Sequence, residues 1–402
     1  MDTKKKILFV INTLGRAGAE MALIELLRVI DKQRYEIDLM VLAEQGELIH
    51  EIPEGIHVCN AYIDDTPVLS REGTGRLIRR MVGKCIKKSV FFHRFMYLVG
   101  NTFDLMGKHI FSANKLTRRL LADSAPRLEK EYDLAVAYIE GGASFYVDEY
   151  VRAKSKAVFL HVDYNQAGYT RRLDADCYLH FDHIFTVSDE VSEAFWQTYP
   201  ECREKTSVFH NLINTERIRK KARMTGGFSD EFEGFRILTV GRLYAQKAFE
   251  VSIEAMKLLK DAGYLMRWYV LGEGEERTSL EKQIEDLDLK EDFLLCGAVD
   301  NPYPYFAQCD LYVHASRYEG KSIAVQEAQV CGCPIIVSDC QGNREQVIPG
   351  VDGVLCRLTP ESIRDEIVRL YEDEVLRNKL AKAAGQKHQV SEEELEKLYE
   401  LL

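Results

Sequence analysis

The amino-acid sequence predicts an α/β protein with two Rossmann-like, doubly wound domains facing across a cleft. Short apolar strands alternate along the chain with segments of helical spacing, as in Lys6–Asn12 followed by Glu20–Ile30. The alternation stops at the polar, glycine-containing segment Lys220–Gly234 and then begins again. The chain has 402 residues, which is more than one hydrophobic core usually holds. Strands separated by helices form parallel sheets with right-handed crossovers, so each half of the chain should form one such sheet.

Each strand is predicted from a short apolar run bounded by polar or small residues. In the first half the predicted strands are Lys6–Asn12, Tyr35–Ala43, a short one near His57, Asp133–Ile139, Lys156–Val162, His183–Val187 and Ser207–Phe209. In the second half they are Arg236–Val240, Arg267–Leu271, Phe293–Cys296, Leu311–His314, Pro334–Ser338 and Gly353–Cys356. Helices are expected between them and across Arg76–Glu131.

The polar segment near the middle of the chain sets the predicted domain boundaries. We place a first domain at residues 1–215, a linker at 216–234 and a second domain at 235–385. Residues 386–402 are expected to form a helix that packs back on the first domain. Ligands of such sheets bind at the carboxyl ends of the strands, near helix N-termini, so the loops after strands are the candidate sites.

The composition favours a cytoplasmic protein. No apolar run is long enough to span a bilayer, and Gly15, Gly18 and Glu20 stand where a signal peptide would need its cleavage site. The ten cysteines are scattered, which is typical of free thiols in a reducing compartment. Only Cys331 and Cys333 are close together, and no second pair follows at ligand spacing, so we expect no metal site. The net charge of −11 argues against a nucleic-acid partner.

The charge is unevenly distributed along the chain. Between Arg71 and Lys130 there are 14 lysines and arginines against four acidic residues, interspersed with Phe91, Phe92 and Phe95. The basic residues include Arg79, Arg80, Lys84, Lys87, Lys88, Arg94, Arg118 and Arg119. One interpretation is a set of amphipathic helices whose cations face water. The other is that Arg76–Arg119 docks on anionic lipid headgroups, which would make the protein peripheral on the inner face of the cell membrane.

The strongest candidate site is the segment from Glu319 to Glu327, which follows the predicted strand Leu311–His314. We expect a helix over Ser322–Val330, whose uncapped N-terminus binds an anion. The amides that form this site are those of Gly320, Lys321, Ser322 and Ile323. One carboxylate lies before the helix and one lies on it, with the phosphate site between them. This arrangement suits a sugar nucleotide, in which two hydroxyl-bearing groups, the sugar and the ribose, flank a diphosphate. Two glutamates at this spacing also occur by chance on solvated helices.

With these residues the sequence resembles the retaining glycosyltransferases of family 4, which adopt the GT-B fold, over nearly its whole length. Glu319 and Glu327 match the E-x7-E motif of that family, with an apolar strand before it and a Gly-x-Pro ending after it. The resemblance implies that Glu327 binds the ribose hydroxyls, Glu319 a hydroxyl of the transferred sugar, and the Lys321–Ile323 amides the phosphates. A nucleotide diphosphate sugar would be the co-substrate, and no cofactor is implied.

Loops after earlier strands of the second domain match the same family. The segment from Gly241 through Arg242 to Lys247 resembles its basic loop, where both cations would stabilise the departing diphosphate. The residue after this lysine is usually glycine in the family, but here it is Ala248. Two loop glycines also match, one after the second strand and one beside the expected nucleotide base; they are Gly272 and Gly297.

The resemblance assigns the first domain to the acceptor side. Gly15–Glu20 is similar to the opening loop of the family, in which Gly18 would let a diphosphate or acceptor approach the backbone. The family usually has adjacent glycines here, and Ala17 breaks that pair. His161 matches the family's histidine that reaches the donor sugar, although a histidine after a strand is as often structural.

The function implied is transfer of a hexosyl unit to a hydroxyl of a glycan or lipid-linked acceptor, with retention, in polysaccharide or glycolipid synthesis. Catalysis would be metal-independent and would use Glu319, Arg242, Lys247 and His161. The alternatives are a sugar-nucleotide epimerase or phosphorylase of the same fold, a non-catalytic nucleotide-binding module, and a dinucleotide-dependent oxidoreductase. The absence of a full GxGxxG sequence disfavours the oxidoreductase.

Overall fold

The computed structural model describes residues 4–107, 113–387 and 393–402. The chain forms two compact units, the first of residues 1–212 together with 390–402, and the second of residues 213–389. Each unit is built around its own parallel sheet. The predicted fold class, two doubly wound α/β domains, is confirmed. Among the described residues, no helix has the length and apolar character needed to cross a membrane.

The first unit contains a seven-stranded parallel sheet. Its strands are β1 (Lys5–Ile11), β2 (Tyr35–Val41), β3 (Ile56–Val58), β4 (Glu131–Ala137), β5 (Arg152–Leu160), β6 (His183–Thr186) and β7 (Thr206–Val208). They are arranged in the order β3-β2-β1-β4-β5-β6-β7. Residues 7–11 of β1 are fully buried, because helices cover both faces of the sheet, and this explains the continuous apolar run that predicted the strand.

Eight helices of the described residues accompany that sheet before the chain enters the second unit. They are α1 (Gly18–Val29), α2 (Arg71–Lys87), α3 (Val90–His93), α4 (Phe95–Gly107), α5 (Ala113–Ser124), α6 (Gly142–Tyr150), α7 (Arg171–Asp174) and α8 (Asp189–Thr198). Short 3-10 turns occur at Glu47–Glu51, Cys177–His180 and Pro200–Lys205. In its described part, the stretch predicted as helical from Arg76 forms α3, α4, α5 and most of α2, and this part ends before Glu131, which begins β4. Residues 108–112 of the stretch lie outside the described residues.

The second unit contains a six-stranded parallel sheet. Its strands are β8 (Phe235–Val240), β9 (Met266–Leu271), β10 (Phe293–Gly297), β11 (Leu311–His314), β12 (Ile335–Ser338) and β13 (Val354–Cys356), in the order β10-β9-β8-β11-β12-β13. Strands β9 and β10 follow β8 on one side of the sheet. The next strand of the chain, β11, lies on the other side of β8. The loops after β8 and β11 therefore lie at the switch point, where ligands of such sheets bind.

Helices surround the second sheet on both faces. They are α9 (Thr215–Ala222), α10 (Phe249–Asp261), α11 (Arg277–Asp286), α12 (Tyr303–Gln308), α13 (Ile323–Val330), α14 (Gln341–Gln346), α15 (Pro360–Glu372) and α16 (Glu374–Gln386), with a 3-10 turn at Ala245–Lys247. The predicted linker at 216–234 is therefore helical in its first part. The α9 helix belongs to the second unit and buries Ile218 in its core.

The last helix, α17 (Glu393–Tyr399), belongs to the first unit. The Tyr399 ring stacks on Tyr35 at the start of β2 with a centroid distance of 4.9 Å. Its hydroxyl accepts a hydrogen bond from the Asp31 amide at 3.0 Å, and Lys397 donates to the Val208 carbonyl. The chain thus ends on the unit in which it begins.

Candidate active site

Glu319 and Lys247 come together at the carboxyl end of the second sheet. The buried strand β11 delivers the chain to a loop containing Glu319, and the neighbouring strand β8 delivers it to the 3-10 turn that ends at Lys247. Two hydrogen bonds of 2.8 Å join these loops, from the Arg317 amide to the Gln246 carbonyl and from the Gln246 side chain to the Tyr318 carbonyl. These hydrogen bonds fix the position of one loop relative to the other.

The Lys247 ammonium lies 2.5 Å from Glu319 Oε1, and both side chains are largely buried. Burial by itself would raise the pKa of the Glu319 carboxyl. The charge of Lys247 and the hydrogen bond from His314 outweigh that effect and hold the pKa well below its usual range. The site therefore contains a buried carboxylate that is ionised at neutral pH and paired with the Lys247 ammonium.

His314, which the sequence analysis did not select, is the third member of this cluster. Its Nε2 lies 3.0 Å from Glu319 Oε1, 3.2 Å from Ser322 Oγ and 3.3 Å from Lys247 Nζ, and its Nδ1 lies 3.0 Å from the Tyr312 hydroxyl. Burial and the nearby Lys247 lower the pKa of His314, so the imidazole is neutral. The signal in the sequence was a polar pair, Tyr312 and His314, at strand spacing within an otherwise apolar run.

The helix after this loop begins at Ile323, with Ser322 as its N-cap in extended backbone. The Ser322 hydroxyl makes no capping hydrogen bond to the helix and lies beside His314 instead. Its carbonyl accepts from the Gln346 side chain at 3.2 Å. The first amides of α13 are thus not capped by Ser322, which is the arrangement expected of an anion site.

Glu327 lies in the second turn of α13 and is mostly buried. Its Oε1 accepts a hydrogen bond of 2.8 Å from the Tyr303 hydroxyl, which α12 contributes. Sequence reasoning missed Tyr303, because nothing in the local pattern indicates that α12 packs beside α13.

Two glycines allow the loops of this edge to pack backbone against backbone. A Cβ atom on Gly272 would lie 1.9 Å from the Gly241 carbonyl oxygen, and the residue has a φ of +155°. A Cβ on Gly342 would lie 2.2 Å from the Gly320 carbonyl oxygen. Gly297 ends β10, and its carbonyl accepts from the Gly272 amide at 2.9 Å. The glycines predicted from the sequence thus lie in adjoining loops.

Arg242 and Ala248 flank the Lys247 turn. The Arg242 guanidinium lies over the Tyr244 ring, with its Cζ 4.9 Å from the ring centroid. Ala248 has a left-handed backbone with φ of +46° and is fully buried. This conformation explains why glycine is the usual residue at this position of the turn.

In the first unit, His161 follows β5 and its orientation is fixed by two neighbours. Its Nε2 lies 3.0 Å from the Tyr138 carbonyl oxygen, which only accepts, so this nitrogen carries the proton. Its amide donates to Glu140 Oε2 at 3.1 Å. Burial lowers the pKa of the imidazole, although the charge of Glu140 opposes this. Gly18, by contrast, is the first residue of α1, whose Glu20 accepts from the Thr13 hydroxyl at 3.1 Å.

Residues 229–387, which cover nearly all of the second unit, match the family described as "Glycosyl transferases group 1". The second unit is thus similar to a glycosyl transferases group 1 domain over most of its length. The ionised pair of Glu319 and Lys247 and the α13 N-terminus lie within this domain.

Two relatives that are named as sugar transferases are similar to this chain. It is 32% identical over 198 residues to an N-acetylgalactosamine-N,N'-diacetylbacillosaminyl-diphospho-undecaprenol 4-alpha-N-acetylgalactosaminyltransferase of Campylobacter jejuni, covering 49% of this chain and 52% of the relative. It is 30% identical over 181 residues to a UDP-Gal:alpha-D-GlcNAc-diphosphoundecaprenol alpha-1,3-galactosyltransferase of Escherichia coli, covering 43% and 46%. The chain thus spans about half the length of these relatives.

The fold is shared with solved structures over almost the whole chain. HepE of Anabaena, solved in complex with UDP-glucose, superposes with a TM-score of 0.68 at 19% identity, covering 98% of this chain and 99% of HepE. The expected GT-B fold is thereby confirmed. The roles assigned to single residues stay predictions.

Proposed function

We propose that this protein transfers a hexosyl unit from a nucleotide diphosphate sugar to an acceptor hydroxyl, with retention of anomeric configuration. The observation that carries the proposal is the buried cluster of Lys247, Glu319 and His314 beside the N-terminus of α13. It lies at the switch point of a group 1 domain, where a ligand of this fold binds.

In this proposal the donor lies along the loops after β8, β9, β10 and β11. Glu327 binds the ribose hydroxyls and Glu319 a hydroxyl of the transferred sugar. The diphosphate is held by the amides near Ser322, by Lys247 and by Arg242, which leaves its Tyr244 contact to do so. The nucleotide base lies against the loop at Gly297.

The chemical problem is the departure of the diphosphate, which gains negative charge as the glycosidic bond breaks. Lys247 and the helix amides are positioned before the reaction and need no reorganisation, and one such donor commonly contributes on the order of 10²–10³ in rate. We therefore propose catalysis without a divalent metal at this site. His314, neutral and hydrogen-bonded to Glu319, keeps that carboxylate oriented toward the sugar.

The test of this function is acceptor-dependent release of nucleoside diphosphate in the presence of EDTA. With UDP-glucose and UDP-galactose as first probes, turnover should persist in the chelator, and the product should retain the donor anomer by NMR. If turnover were lost in EDTA and restored by magnesium, the proposal that Lys247 and the helix amides stabilise the diphosphate without a metal would be contradicted. Epimerised donor without acceptor would favour an epimerase of the same fold.

The acceptor side of the proposal rests on the surface of α4. Met96, Val99, Phe103 and Met106 repeat at helical spacing along one face of α4, and all four are exposed, with Phe103 at 72% and Met96 at 79%. The opposite face buries Leu105 in the core of the first unit. A helix that is apolar on both faces needs a second apolar environment.

The basic residues of this region contribute less than their number in the sequence suggests. Many form ion pairs or hydrogen bonds within the first unit: Arg80 with Asp64, Lys84 with Glu44, Arg94 with Asp123, Arg119 with Glu149, and Lys88 with the Ala125 carbonyl. Arg79 and Lys87 are exposed. Insertion of the apolar face of α4 should therefore dominate binding, and the cations should add about 1 kcal/mol each near anionic headgroups.

We propose that α4 docks on an anionic membrane, on the cytoplasmic side, and gives access to a lipid-linked acceptor. Relatives named for diphospho-undecaprenol acceptors make this substrate class the first choice. Co-sedimentation with phosphatidylglycerol vesicles should recover the wild type in the pellet. M96D/F103D should move to the supernatant, whereas V375D, at an 81% exposed residue of the second unit, should not. Wild type in the supernatant would favour a soluble acceptor.

A further inference from the structure

Three different metal-ligating side chains meet on one face of the first sheet. Asp38 of β2 and His57 of β3 are directly paired across the two strands, and Cys59 follows two residues after His57. Because strand residues two apart point to the same face, all three side chains share it. One oxygen, one nitrogen and one sulfur atom of the three lie within 4.8 Å of one another, and His57 Nδ1 lies 3.1 Å from Asp38 Oδ1.

We propose that Asp38, His57 and Cys59 form a binding site for one Zn²⁺ ion in the first unit. A carboxylate, an imidazole and a thiolate are a zinc ligand set, whereas Mg²⁺ and Ca²⁺ prefer oxygen alone. Tetrahedral zinc with ordinary bond lengths separates its ligand atoms by about 3.3–3.8 Å. The ligand atoms of the observed cluster, all within 4.8 Å of one another, lie close to this spacing. Three protein ligands leave the fourth position to water.

The surroundings of Asp38 fit a metal ligand. Its Oδ2 accepts hydrogen bonds from the Tyr132 hydroxyl at 2.8 Å and from the Lys130 ammonium at 2.7 Å. These two hydrogen bonds hold the Asp38 carboxylate with its Oδ1 atom toward His57. Hydrogen bonds to a ligand side chain orient it in the same way at metal sites. The positive charge of Lys130 repels a cation bound at Asp38. The same ammonium also donates to Glu36 at 2.7 Å, so its charge is balanced by two carboxylates.

A bound ion would join the outermost strand to its neighbour. The strand β3 has only three residues, none of them buried, and among the described strands it pairs with β2 alone. Zinc held by Asp38 on β2 and by His57 and Cys59 at β3 would stabilise this edge. The site is separate from the Lys247 and Glu319 cluster of the second unit, so this inference does not depend on the proposed activity.

Cobalt substitution tests the site directly, because a thiolate bound to Co²⁺ gives a charge-transfer absorption band. The full chain, stripped with EDTA and kept reduced, should develop this band with one equivalent of Co²⁺, and Zn²⁺ should abolish it. Cys59→Ser should lack the band. Cys296→Ser, which removes an exposed thiol of the second unit, should keep it.

His57→Ala provides a second variant that should fold normally, because its side chain is 71% exposed. It should weaken Zn²⁺ binding in calorimetric titration at least about tenfold, and Zn²⁺ should no longer raise its thermal midpoint. A cobalt band that survives in C59S, or zinc affinity unchanged in H57A, would overturn the proposal. So would the absence of stoichiometric zinc binding by the wild type.

Discussion

Glu327 accepts a hydrogen bond from Tyr303, which another helix supplies, and this gives a matched pair of variants. Glu327→Ala should lose most of the donor affinity while the protein stays folded, because the proposed ribose contact disappears. Tyr303→Phe keeps the carboxylate and removes one hydrogen bond, so affinity should fall by about tenfold or less. Calorimetric titration with the donor measures both. Unchanged affinity in folded E327A would remove Glu327 from the ribose role.

Lys247 has a structural effect in addition to its proposed catalytic one. Lys247→Met leaves the buried Glu319 carboxylate without its cation, and we expect a loss of about 3 kcal/mol in unfolding free energy at neutral pH. In the wild type the pKa of Glu319 is lowered on folding, so its contribution to stability is complete above the unfolded pKa near 4.5. That contribution falls as the pH decreases below 4.5.

The difference in unfolding free energy between wild type and Lys247→Met should therefore be largest above pH 4.5 and should shrink below it. Denaturant titrations at neutral and acidic pH measure this trend. Lys257→Met, which removes an ion pair on the surface of α10, is the control and should change little at either pH. A difference that grew on acidification would contradict the charge assignment of Glu319.

At the scale of the secondary-structure element, α4 offers two residues of similar chemistry and opposite environment. Leu105→Ala should cost about 2–5 kcal/mol, because Leu105 is fully buried in the first core. Phe103→Ala should change the unfolding free energy by less than about 0.5 kcal/mol, although it removes a larger side chain. Urea unfolding distinguishes the two. A large loss in F103A would mean that this face is covered by the protein itself.

The strands were predictable and α9 was not, for a physical reason. A buried parallel strand is apolar along most of its length, as residues 7–11 of β1 are, so composition alone indicates it. The α9 helix has only eight residues and one buried apolar residue, Ile218, which is too few to indicate a helix by its apolar pattern. Its one local signal is Asn214, whose side chain accepts from the Arg217 amide at 2.8 Å as an N-cap.

The residues of the candidate site also divide into some that could be predicted from the sequence and some that could not. Glu319, Lys247 and Glu327 could be proposed because they lie in loops and helix ends next to predicted strands. Tyr303 could not, because its contact with Glu327 depends on how α12 packs on α13. His314 stood inside a predicted strand, where a polar residue is easily taken for a structural one.

At the scale of the whole molecule, α17 links the end of the chain to the first unit. Tyr399→Ala removes the ring stacked on Tyr35 and the hydrogen bond from the Asp31 amide, so it should destabilise the first unit by about 2 kcal/mol. The second unit makes none of these contacts. Calorimetry should show one unfolding transition lowered and the other unchanged. Tyr371→Ala, on α15 of the second unit, should show the reverse.

The return of the chain to its first unit also has a consequence for synthesis on the ribosome. Residues 213–389 are in effect an insertion within the first unit, whose helix α17 is synthesised after them. At a translation rate of roughly 5–20 residues per second, on the order of 10–40 s pass between completion of the seventh strand and emergence of that helix. During this interval the Tyr35 surface has no covering aromatic ring. A chain truncated before Glu393 should therefore expose this surface to chaperones, although it contains nearly all residues of the inserted unit.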